Sequence, residues 1–393
     1  MIPDKFNTSP PWKPLVSPYT FKRSSDTVIN CEGLFYGSSG FAESMRNIAY
    51  ELYKNGYQVT VNPHNLDDNN GFLQTPKGKI IHKLSTTRYS DHYPHISLQM
   101  THPMGVRKKG YTIAYIMFET VDFPKTFIDH LNKEADEIWT PSSFNYKNIR
   151  RAGWNKPVFV MPLGVDRNKF NPDVKPLFRY PQFTFLSIMG WSERKGVRRL
   201  ITAYLREFNE ENVSLYLKSG WYDELQAKKE IEELQNKYPS NAKIILDFGV
   251  YSDEDHPRLY KSADCYVLPS LGEGWGLTYT ESMSVGLPVI ATRSTSMTDF
   301  MSDSNSFLIE VEEEHTEPAC DWITPDYKGR DFSTPCVRDL QEKMRYVFEN
   351  TTEAKRRGKN ASVEMNKWTW EAASEKWIER LQEITEEETQ NDQ

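Results

Sequence analysis

Two glutamates, Glu273 and Glu281, lie on either side of a glycine-rich turn, and together these residues could bind a phosphorylated sugar. An apolar run with the length of a strand precedes the turn, and a helical pattern follows it. Gly276, Leu277 and Thr278 would therefore occupy the start of a helix. Backbone N–H groups have no intrahelical partner at this end, and the helix dipole is positive there.

The glycines of the turn favour close contact between the backbone and an anion. Gly274 and Gly276 place no Cβ between the chain and a phosphate, and a helix N terminus is a suitable site for a diphosphate. The two carboxylates can accept hydrogen bonds from sugar hydroxyls. The segment thus predicts a nucleotide-sugar site, and the alternative is a surface turn followed by a helix with ordinary acidic residues.

Two further loops carry residues suited to phosphate chemistry. Gly37 and Gly40 follow the first predicted strand and could bring backbone N–H groups near a phosphate or an attacking hydroxyl. Their spacing differs from G-x-G-x-x-G, which argues against a dinucleotide. Arg194 and Lys195 follow a later strand and could clamp a diphosphate, or they could form a solvated basic turn.

These loops require a scaffold of parallel sheets. The length of 393 residues suggests two domains, and strands alternate with helices from about residue 27, as in a doubly wound α/β fold. The predicted strands are 27–33, 58–63, 95–100, 112–119, 137–143 and 158–164, followed by 183–190, 213–220, 242–249, 265–270 and 287–292. The predicted helices are 40–55, 125–135, 143–152, 197–208, 224–238 and 254–263, with a helical region from residue 337 that ends in 368–382.

The alternation of strands and helices stops at a proline-containing linker and then restarts, which predicts two similar domains. We place an acceptor-side domain at 1–168, with a Pro-rich lead-in at 1–25, and a nucleotide-sugar domain at 169–368. The remaining residues, 369–393, are predicted to form a helix that packs back on the first domain. Ligands bind beyond the carboxyl ends of such strands, so the two sheets should share one cleft.

Composition narrows the class of protein. No run of about 18 apolar residues occurs, and the start lacks the pattern of a secretory signal, so we expect no transmembrane segment and a cytoplasmic location. The four cysteines show no C-x-x-C spacing and are predicted to be buried free thiols. Residues 1–165 carry a net charge of +5 within a total of −7. That half could contact an anionic surface, although solvated loops or helix ends explain its basic clusters better.

Candidate metal ligands have simpler explanations. Asp253, Glu254 and Asp255 form a D-x-D string, but Ser252 precedes them and a helical run follows, so helix capping explains their charges better. No cysteine or carboxylate pattern completes a zinc site around the histidines, which are His82, His92, His95 and His102. His102 could line the cleft, and a core or loop position is the alternative. We expect neither a metal nor a cofactor to be required.

Taken together, these motifs resemble those of retaining glycosyltransferases of family 4, also called group 1, which have the GT-B fold of two Rossmann-like domains. The resemblance extends from about Val28 to Trp377. The matching segments are PSLGEGWGLTYTESMSVGLPVIAT at 269–292, YKSADCYVLPS at 260–270, the KG pair at 195–196, and FETVDFP, EIWTPSSFN and PLGVD in the first domain.

The resemblance implies a role for each matched residue. Glu273 would contact the donor sugar, Glu281 the ribose, and Lys195 the diphosphate with help from Arg194. The backbone near Gly249 and Val250 would contact the base.

Two positions depart from the family pattern. Trp191 follows Gly190 where many relatives have an arginine, which leaves the diphosphate charge to Arg194 and Lys195. Glu119 stands at a strand end where many relatives have a histidine. It could orient an acceptor hydroxyl or accept its proton, or it could be a carboxylate capped by the backbone.

The implied reaction is transfer of a sugar from a UDP- or GDP-sugar to a hydroxyl acceptor, with retention of the anomeric configuration and without an essential metal. The acceptor could be a glycan, a lipid-linked glycan or another hydroxyl compound. Alternatives are a sugar-nucleotide epimerase or a glycoside phosphorylase of the same fold. A non-catalytic nucleotide-sugar-binding partner of another transferase is a further alternative.

Overall fold

The computed structural model describes residues 28–65, 71–90, 92–98, 109–220, 222–316 and 330–391. The Pro-rich lead-in, His102 and Cys320 lie outside these ranges. Within them the chain forms two six-stranded parallel sheets with helices packed on them, and one antiparallel hairpin. The predicted α/β class with two Rossmann-like sheets is therefore confirmed.

The first sheet has the strand order β2-β1-β3-β4-β5-β6. Its strands are β1 (Val28–Gly33), β2 (Gln58–Pro63), β3 (His95–Leu98), β4 (Thr112–Tyr115), β5 (Glu137–Thr140) and β6 (Val158–Val160). Its helices are α1 (Gly40–Lys54), α2 (Pro76–Ser85), α3 (Lys125–Glu134) and α4 (Ser143–Arg151). The order reverses between β1 and β3, which makes the loop after β1 a switch-point loop.

Helix α1 illustrates how the sequence specifies this sheet. The Ser39 side chain accepts a hydrogen bond from the Ala42 N–H at 3.1 Å and so begins the helix. Met45, Ile48 and Leu52 recur at helical spacing and are fully buried. Burial of each such side chain contributes roughly 1.5–3 kcal/mol.

The second sheet has the order β12-β11-β10-β7-β8-β9, which reverses between β7 and β10. Its strands are β7 (Phe183–Gly190), β8 (Val213–Gly220), β9 (Lys243–Asp247), β10 (Cys265–Leu268), β11 (Val289–Thr292) and β12 (Phe307–Ile309). Its helices are α5 (Val197–Glu207), α6 (Glu224–Lys237), α7 (Asp255–Lys261) and α8 (Leu277–Ser284). The loops after β7 and β10 are therefore its switch-point loops.

The remaining elements follow β12. They are the hairpin strands β13 (Val311–Thr316) and β14 (Asp331–Pro335) and the helices α9 (Val337–Glu349), α10 (Thr351–Glu364) and α11 (Trp370–Asn391). Helix α11 packs against α1 of the first sheet. Arg380 of α11 donates to the fully buried Glu137 carboxylate on β5 at 2.8 Å, so the end of the described chain is fastened to the first sheet.

Several sequence predictions were wrong. β4 ends at Tyr115 rather than at Glu119, and β5 and β6 end at Thr140 and Val160, several residues before their predicted ends.

Cys31 and Cys265 are buried free thiols as predicted. Cys336, however, is partly exposed, and its Sγ accepts from the Asp339 N–H at 3.4 Å at the start of α9.

Candidate functional site

The switch-point loops after β7 and β10 pack directly on each other. Gly196 ends the basic turn with a φ of +70°, and a Cβ there would lie 2.1 Å from the Pro269 carbonyl oxygen. The Arg194 carbonyl accepts from the Leu271 N–H at 2.8 Å. Glycine is thus required for the basic turn to lie against the loop that carries Glu273.

Lys195, Arg194 and Glu273 form one buried charge cluster. The Lys195 Nζ lies 2.6 Å from the Glu273 Oε1, and the Arg194 Nη1 lies 3.5 Å from the Glu273 Oε2. The same Nη1 donates to the Gly272 carbonyl at 2.7 Å. Burial opposes ionisation of Glu273, but Lys195 and Arg194 outweigh it and hold the pKa of this carboxyl below its usual value. Lys195, which is predicted to bind the diphosphate, and Glu273, which is predicted to contact the sugar, are therefore already in contact.

Glu119 reaches this cluster from the other domain. It lies four residues beyond the end of β4, and its Oε1 is 3.6 Å from the Arg194 Nη2. Its side chain is 8% exposed, and its Oε2 has no hydrogen-bond partner within the described ranges. Burial raises the pKa of Glu119, although Arg194 partly opposes this. A buried oxygen in this position can accept a proton or a hydrogen bond from a ligand.

Glycines allow the two domains to touch at this point. A Cβ at Gly272 would lie 1.9 Å from the Glu119 carbonyl oxygen, and one at Gly274 would lie 2.8 Å from the Met117 Cβ. Gly274 was predicted to make room for an anion. That role stays a prediction, and the absence of a Cβ at Gly274 also makes room for Met117 of the first domain.

The N terminus of α8 follows the loop that carries Glu273. Gly276 precedes the helix with a φ of +97°, and Leu277 and Thr278 form its first turn. Among the described residues, no side chain caps this helix. A Cβ at Gly40, which begins α1, would lie 3.6 Å from the Leu277 Cδ1. The starts of α1 and α8, one from each domain, are therefore adjacent, and both present positive dipole ends.

Glu281 lies one turn inside α8 and faces α7. The Tyr260 hydroxyl donates to its Oε2 at 2.6 Å, and the His256 Nε2 is 3.8 Å from the same oxygen. Burial raises the pKa of Glu281 to about 7, and the Tyr260 hydrogen bond opposes part of this rise.

Gly249 and Val250 form an exposed turn after β9. The Gly249 N–H donates to the Asp247 Oδ1 at 2.7 Å. The hydroxyls of Tyr216 and Tyr251 both donate to the Asp247 Oδ2 at 2.7 Å. Asp247 thus fixes the turn, while the Val250 side chain is 80% exposed beside it.

Sequence reasoning missed the residues that support the Glu273 loop. Thr295 has a φ of +53°, which is unusual for a residue with a branched side chain, and its Oγ1 accepts from the Glu273 N–H at 3.1 Å. The Ser296 hydroxyl lies within hydrogen-bond distance of the Glu273 and Trp275 carbonyls, at 2.9 and 2.8 Å. The available signal was the polar segment directly after β11, since the carboxyl end of each parallel strand faces the cleft.

The loop after β1 is held in a similar way. The Arg46 Nη1 donates to the Phe35 and Gly37 carbonyls at 3.0 and 2.7 Å. The Asn65 Oδ1 accepts from the N–H groups of Phe35 and Tyr36. Gly37 and Gly40 therefore lie on a loop that side chains of its own domain hold in place.

The acidic string near α7 is engaged in capping and ion pairs. The Ser252 Oγ accepts from the Asp255 N–H at 3.0 Å, as the capping interpretation predicts. Arg258 pairs with Asp255 at 2.8 Å, and Lys169 pairs with Asp253. In the described part of the chain, no group of three or more His, Cys, Asp or Glu residues is arranged to hold a metal ion.

His92 and His95, the two described histidines with ligand-like spacing, have different surroundings. His95 is buried in β3, with hydrogen-bond contacts to Asn30 and Tyr89. His92 is exposed, and its Nε2 lies 3.4 Å from the Lys109 Nζ.

Within the described ranges, no helix combines the length and apolar character needed to cross a bilayer.

Comparison with known proteins finds similar glycosyltransferases. Residues 172–317 match the family model described as glycosyl transferases group 1. Sulfoquinovosyl transferase SQD2 of Arabidopsis thaliana is 26% identical over 274 residues, which are 64% of this chain and 45% of that protein. O-antigen chain mannosyltransferase B of Escherichia coli is 43% identical over 108 residues, 28% of each chain. The matches thus span less than half the length of these two curated relatives.

Solved structures show the same architecture over most of the chain. Sucrose-phosphate synthase of Thermosynechococcus elongatus superimposes with a TM-score of 0.68 at 15% identity, covering 91% of this chain and 99% of that one. Anabaena HepE in complex with UDP-glucose superimposes with a TM-score of 0.63 at 15% identity, again covering 91% and 99%. Both are GT-B folds.

Proposed function

We propose that this chain transfers a sugar from a nucleotide-diphosphate sugar to a hydroxyl acceptor, because residues 172–317 match the family model described as glycosyl transferases group 1 and the chain has a GT-B fold. The donor is a UDP- or GDP-sugar, and the acceptor is a glycan, a lipid-linked glycan or another hydroxyl compound. The anomeric configuration is retained, and no metal is required. One observation carries the proposal, which is the buried cluster of Lys195, Arg194 and Glu273 beside the uncapped start of α8.

The cations of this cluster suit a leaving diphosphate. Negative charge builds on the phosphate as its bond to the sugar breaks. Lys195 and Arg194 supply two positive charges, and the N–H groups at Leu277 and Thr278 supply the dipole end of α8. These groups are preorganised by the basic turn, so they stabilise the charge with little rearrangement. This cationic seat supports a reaction that needs no divalent ion at the diphosphate.

Glu273 would change partners when the donor binds. The Lys195 ammonium now lies 2.6 Å from this carboxylate, and a diphosphate would compete for it. Glu273 would then accept hydrogen bonds from the hydroxyls of the donor sugar. Its lowered pKa keeps it ionised for this role.

The ribose and the base of the donor would lie along the carboxyl ends of the strands of the second sheet. Glu281, on the helix that begins at the diphosphate seat, would accept from the ribose hydroxyls. The exposed turn at Gly249 and Val250 would contact the base, and Asp247 would hold that turn in place. Gly40, opposite Leu277, would bring the first domain against the diphosphate.

The acceptor would attack from the first domain, on the face that the diphosphate leaves. The bond between the anomeric carbon and the phosphate oxygen breaks, the bond to the acceptor oxygen forms, and the departing phosphate takes the acceptor proton. Glu119, whose Oε2 is buried without a hydrogen-bond partner among the described residues, would orient the acceptor hydroxyl. Closure of the two domains around the donor would exclude water and limit hydrolysis.

A thermal-shift screen against nucleotide diphosphates and their sugar conjugates, with and without EDTA, tests the donor site. We expect one nucleotide family to raise the melting temperature whether or not EDTA is present. Loss of the shift in EDTA would contradict the metal-independent site.

Product analysis with the selected donor then tests the reaction. Glu273→Ala should abolish transfer and retain nucleotide diphosphate binding, while Glu224→Ala, which removes an exposed ion pair with Lys228, should change neither. Conversion of the donor without an acceptor would indicate an epimerase. Unchanged transfer in Glu273→Ala would refute the assignment of the site.

A further inference from the structure

The β13–β14 hairpin follows the second sheet in sequence but is bound to the first domain. The Asp331 carbonyl on β14 accepts from the Val121 N–H at 3.0 Å. Two residues along the same strand, the Ser333 N–H donates to the Leu271 carbonyl at 3.0 Å. Strand β14 therefore joins the loop after β4 to the loop that carries Glu273.

The residue between these two contacts is buried in the first domain. Phe332 is fully buried and belongs to an apolar cluster formed mainly by residues that follow β4, including Phe118, Phe123 and Phe127. Leu271 also joins this cluster from the second domain. A phenylalanine contributes a large buried area, so the hairpin is anchored in the core rather than resting on the surface.

An ion pair fixes the same loop from outside. The Arg330 Nη1 lies 2.6 Å from the Asp122 Oδ2, with side-chain exposures of 27% and 49%. Both residues are accessible enough to be changed without opening the core.

All of these contacts lie next to Glu119. Phe118 precedes it, and Val121 and Asp122 follow within three residues. We infer that the β13–β14 hairpin is a positioning element that fixes the loop after β4 and thereby sets Glu119 against Arg194. The hairpin contacts stand on their geometry alone, whereas their effect on catalysis rests on the proposed function of Glu119.

A positioning element can be distinguished from a contact that only holds the two domains together. A fastener would affect stability and leave the rate of the chemical step unchanged. A positioning element would lower kcat when loosened, while nucleotide binding, which depends mainly on loops of the second domain, would stay nearly the same. The Val121 N–H reports the contact directly, because it lies outside the strands and donates to the hairpin.

Amide hydrogen exchange on the full chain tests the contact. Arg330→Gln and Asp122→Asn each remove half of the ion pair, and Val121 exchange should become about two- to fivefold faster, the range for a partly exposed pair. The charge-swapped double variant Arg330→Asp/Asp122→Arg should restore part of the protection. Arg338→Gln, which breaks the more exposed pair with Glu342, should leave Val121 unchanged.

The catalytic effect is measured separately with the donor found by the nucleotide screen. We expect the two single variants to lower kcat for transfer, with an unchanged Kd for the nucleotide diphosphate and partial recovery in the swapped variant. Phe332→Ala should accelerate Val121 exchange at least tenfold. If Phe332→Ala fails to fold, the ion-pair variants alone decide whether the hairpin positions the loop.

Each outcome has a distinct meaning. Unchanged Val121 exchange in both ion-pair variants would overturn the claim that the hairpin holds the loop. Faster exchange with unchanged kcat would overturn the positioning role. If the wild-type protein transfers no sugar from any donor, the proposed function fails, and the exchange data still determine whether the hairpin holds the loop.

Discussion

Glu281→Gln gives the clearest quantitative test of the electrostatics in this site. Glutamine has nearly the same shape as a protonated glutamate and can still accept the hydrogen bond from the Tyr260 hydroxyl. The substitution therefore removes the ionisation of this carboxyl and little else.

The expected magnitude follows from the pKa. Burial raises the pKa of Glu281 from 4.5 to about 7, and its side chain is only 13% exposed, so solvent screening is limited. The folded protein holds this proton more tightly than the unfolded chain does. The contribution of the raised Glu281 pKa to the free energy of unfolding is thus fully present below pH 4.5. It is lost as the pH rises to about 7, and it stays lost at higher pH. The shift corresponds to about 3 kcal/mol of unfolding free energy.

Urea denaturation of both proteins at pH 4.5 and pH 8 measures this effect. Glu281→Gln should be more stable than wild type at pH 8 by about 2–3 kcal/mol, and the two should differ much less at pH 4.5. Glu342→Gln, at an exposed position on α9, is the control and should show no such divergence. An equal difference at both pH values would refute a buried carboxyl with a raised pKa.

Two further substitutions test the charge pairs. Lys195→Met should weaken nucleotide diphosphate binding at least tenfold in titration calorimetry, because a hydrogen bond to a charged group contributes about 1.5–3 kcal/mol. The control Lys228→Met, at an exposed position, should bind the nucleotide normally. Equal affinities of Lys195→Met and wild type would exclude Lys195 from the site. Glu137→Gln should lower the unfolding free energy by about 1.5–3 kcal/mol in chemical denaturation, because Arg380 would then donate to a neutral acceptor on β5 and keep only the Glu383 carboxylate as a charged partner. A loss below about 1 kcal/mol would contradict this second expectation.

Local patterns were sufficient to predict the elements around the candidate site. β7 and β8 have the predicted bounds because each is a long apolar run that ends at a glycine. Glu281 lies one turn inside α8, as expected from the glycine turn that precedes it. These features depend on neighbours within about ten residues.

Elements with weak apolar patterns were missed. α2 buries few apolar side chains, among them Ile81 and Leu84, and β13 reads VEEEHT, which has no apolar alternation. The extension of β4 to Glu119 failed for the opposite reason. Residues 116–118 are apolar and buried as in a strand, but they form a loop in which Ile116 and Phe118 pack in the first domain and Met117 lies beside Gly274 of the second.

Contacts between distant residues were beyond any local pattern. The Lys195–Glu273 pair joins positions 78 residues apart, and the motifs indicated both residues without indicating that they touch. The contact between Glu119 and Arg194 links two domains. Such pairs depend on how the sheets face each other, which spacing along the chain does not encode.

The Glu137–Arg380 pair has a consequence for synthesis of the protein. Glu137 is made 243 residues before its partner. At about 5–20 residues per second, a ribosome needs roughly 10–50 s to cover that distance. Until then the carboxylate can accept hydrogen bonds from Tyr111 and Trp139 but lacks the Arg380 guanidinium, and a charge without its counter-ion is costly to bury. We therefore expect the first sheet to emerge early but to reach its final packing only when the closing helix arrives, so that nascent chains halted before Arg380 are cut more readily by protease than finished ones.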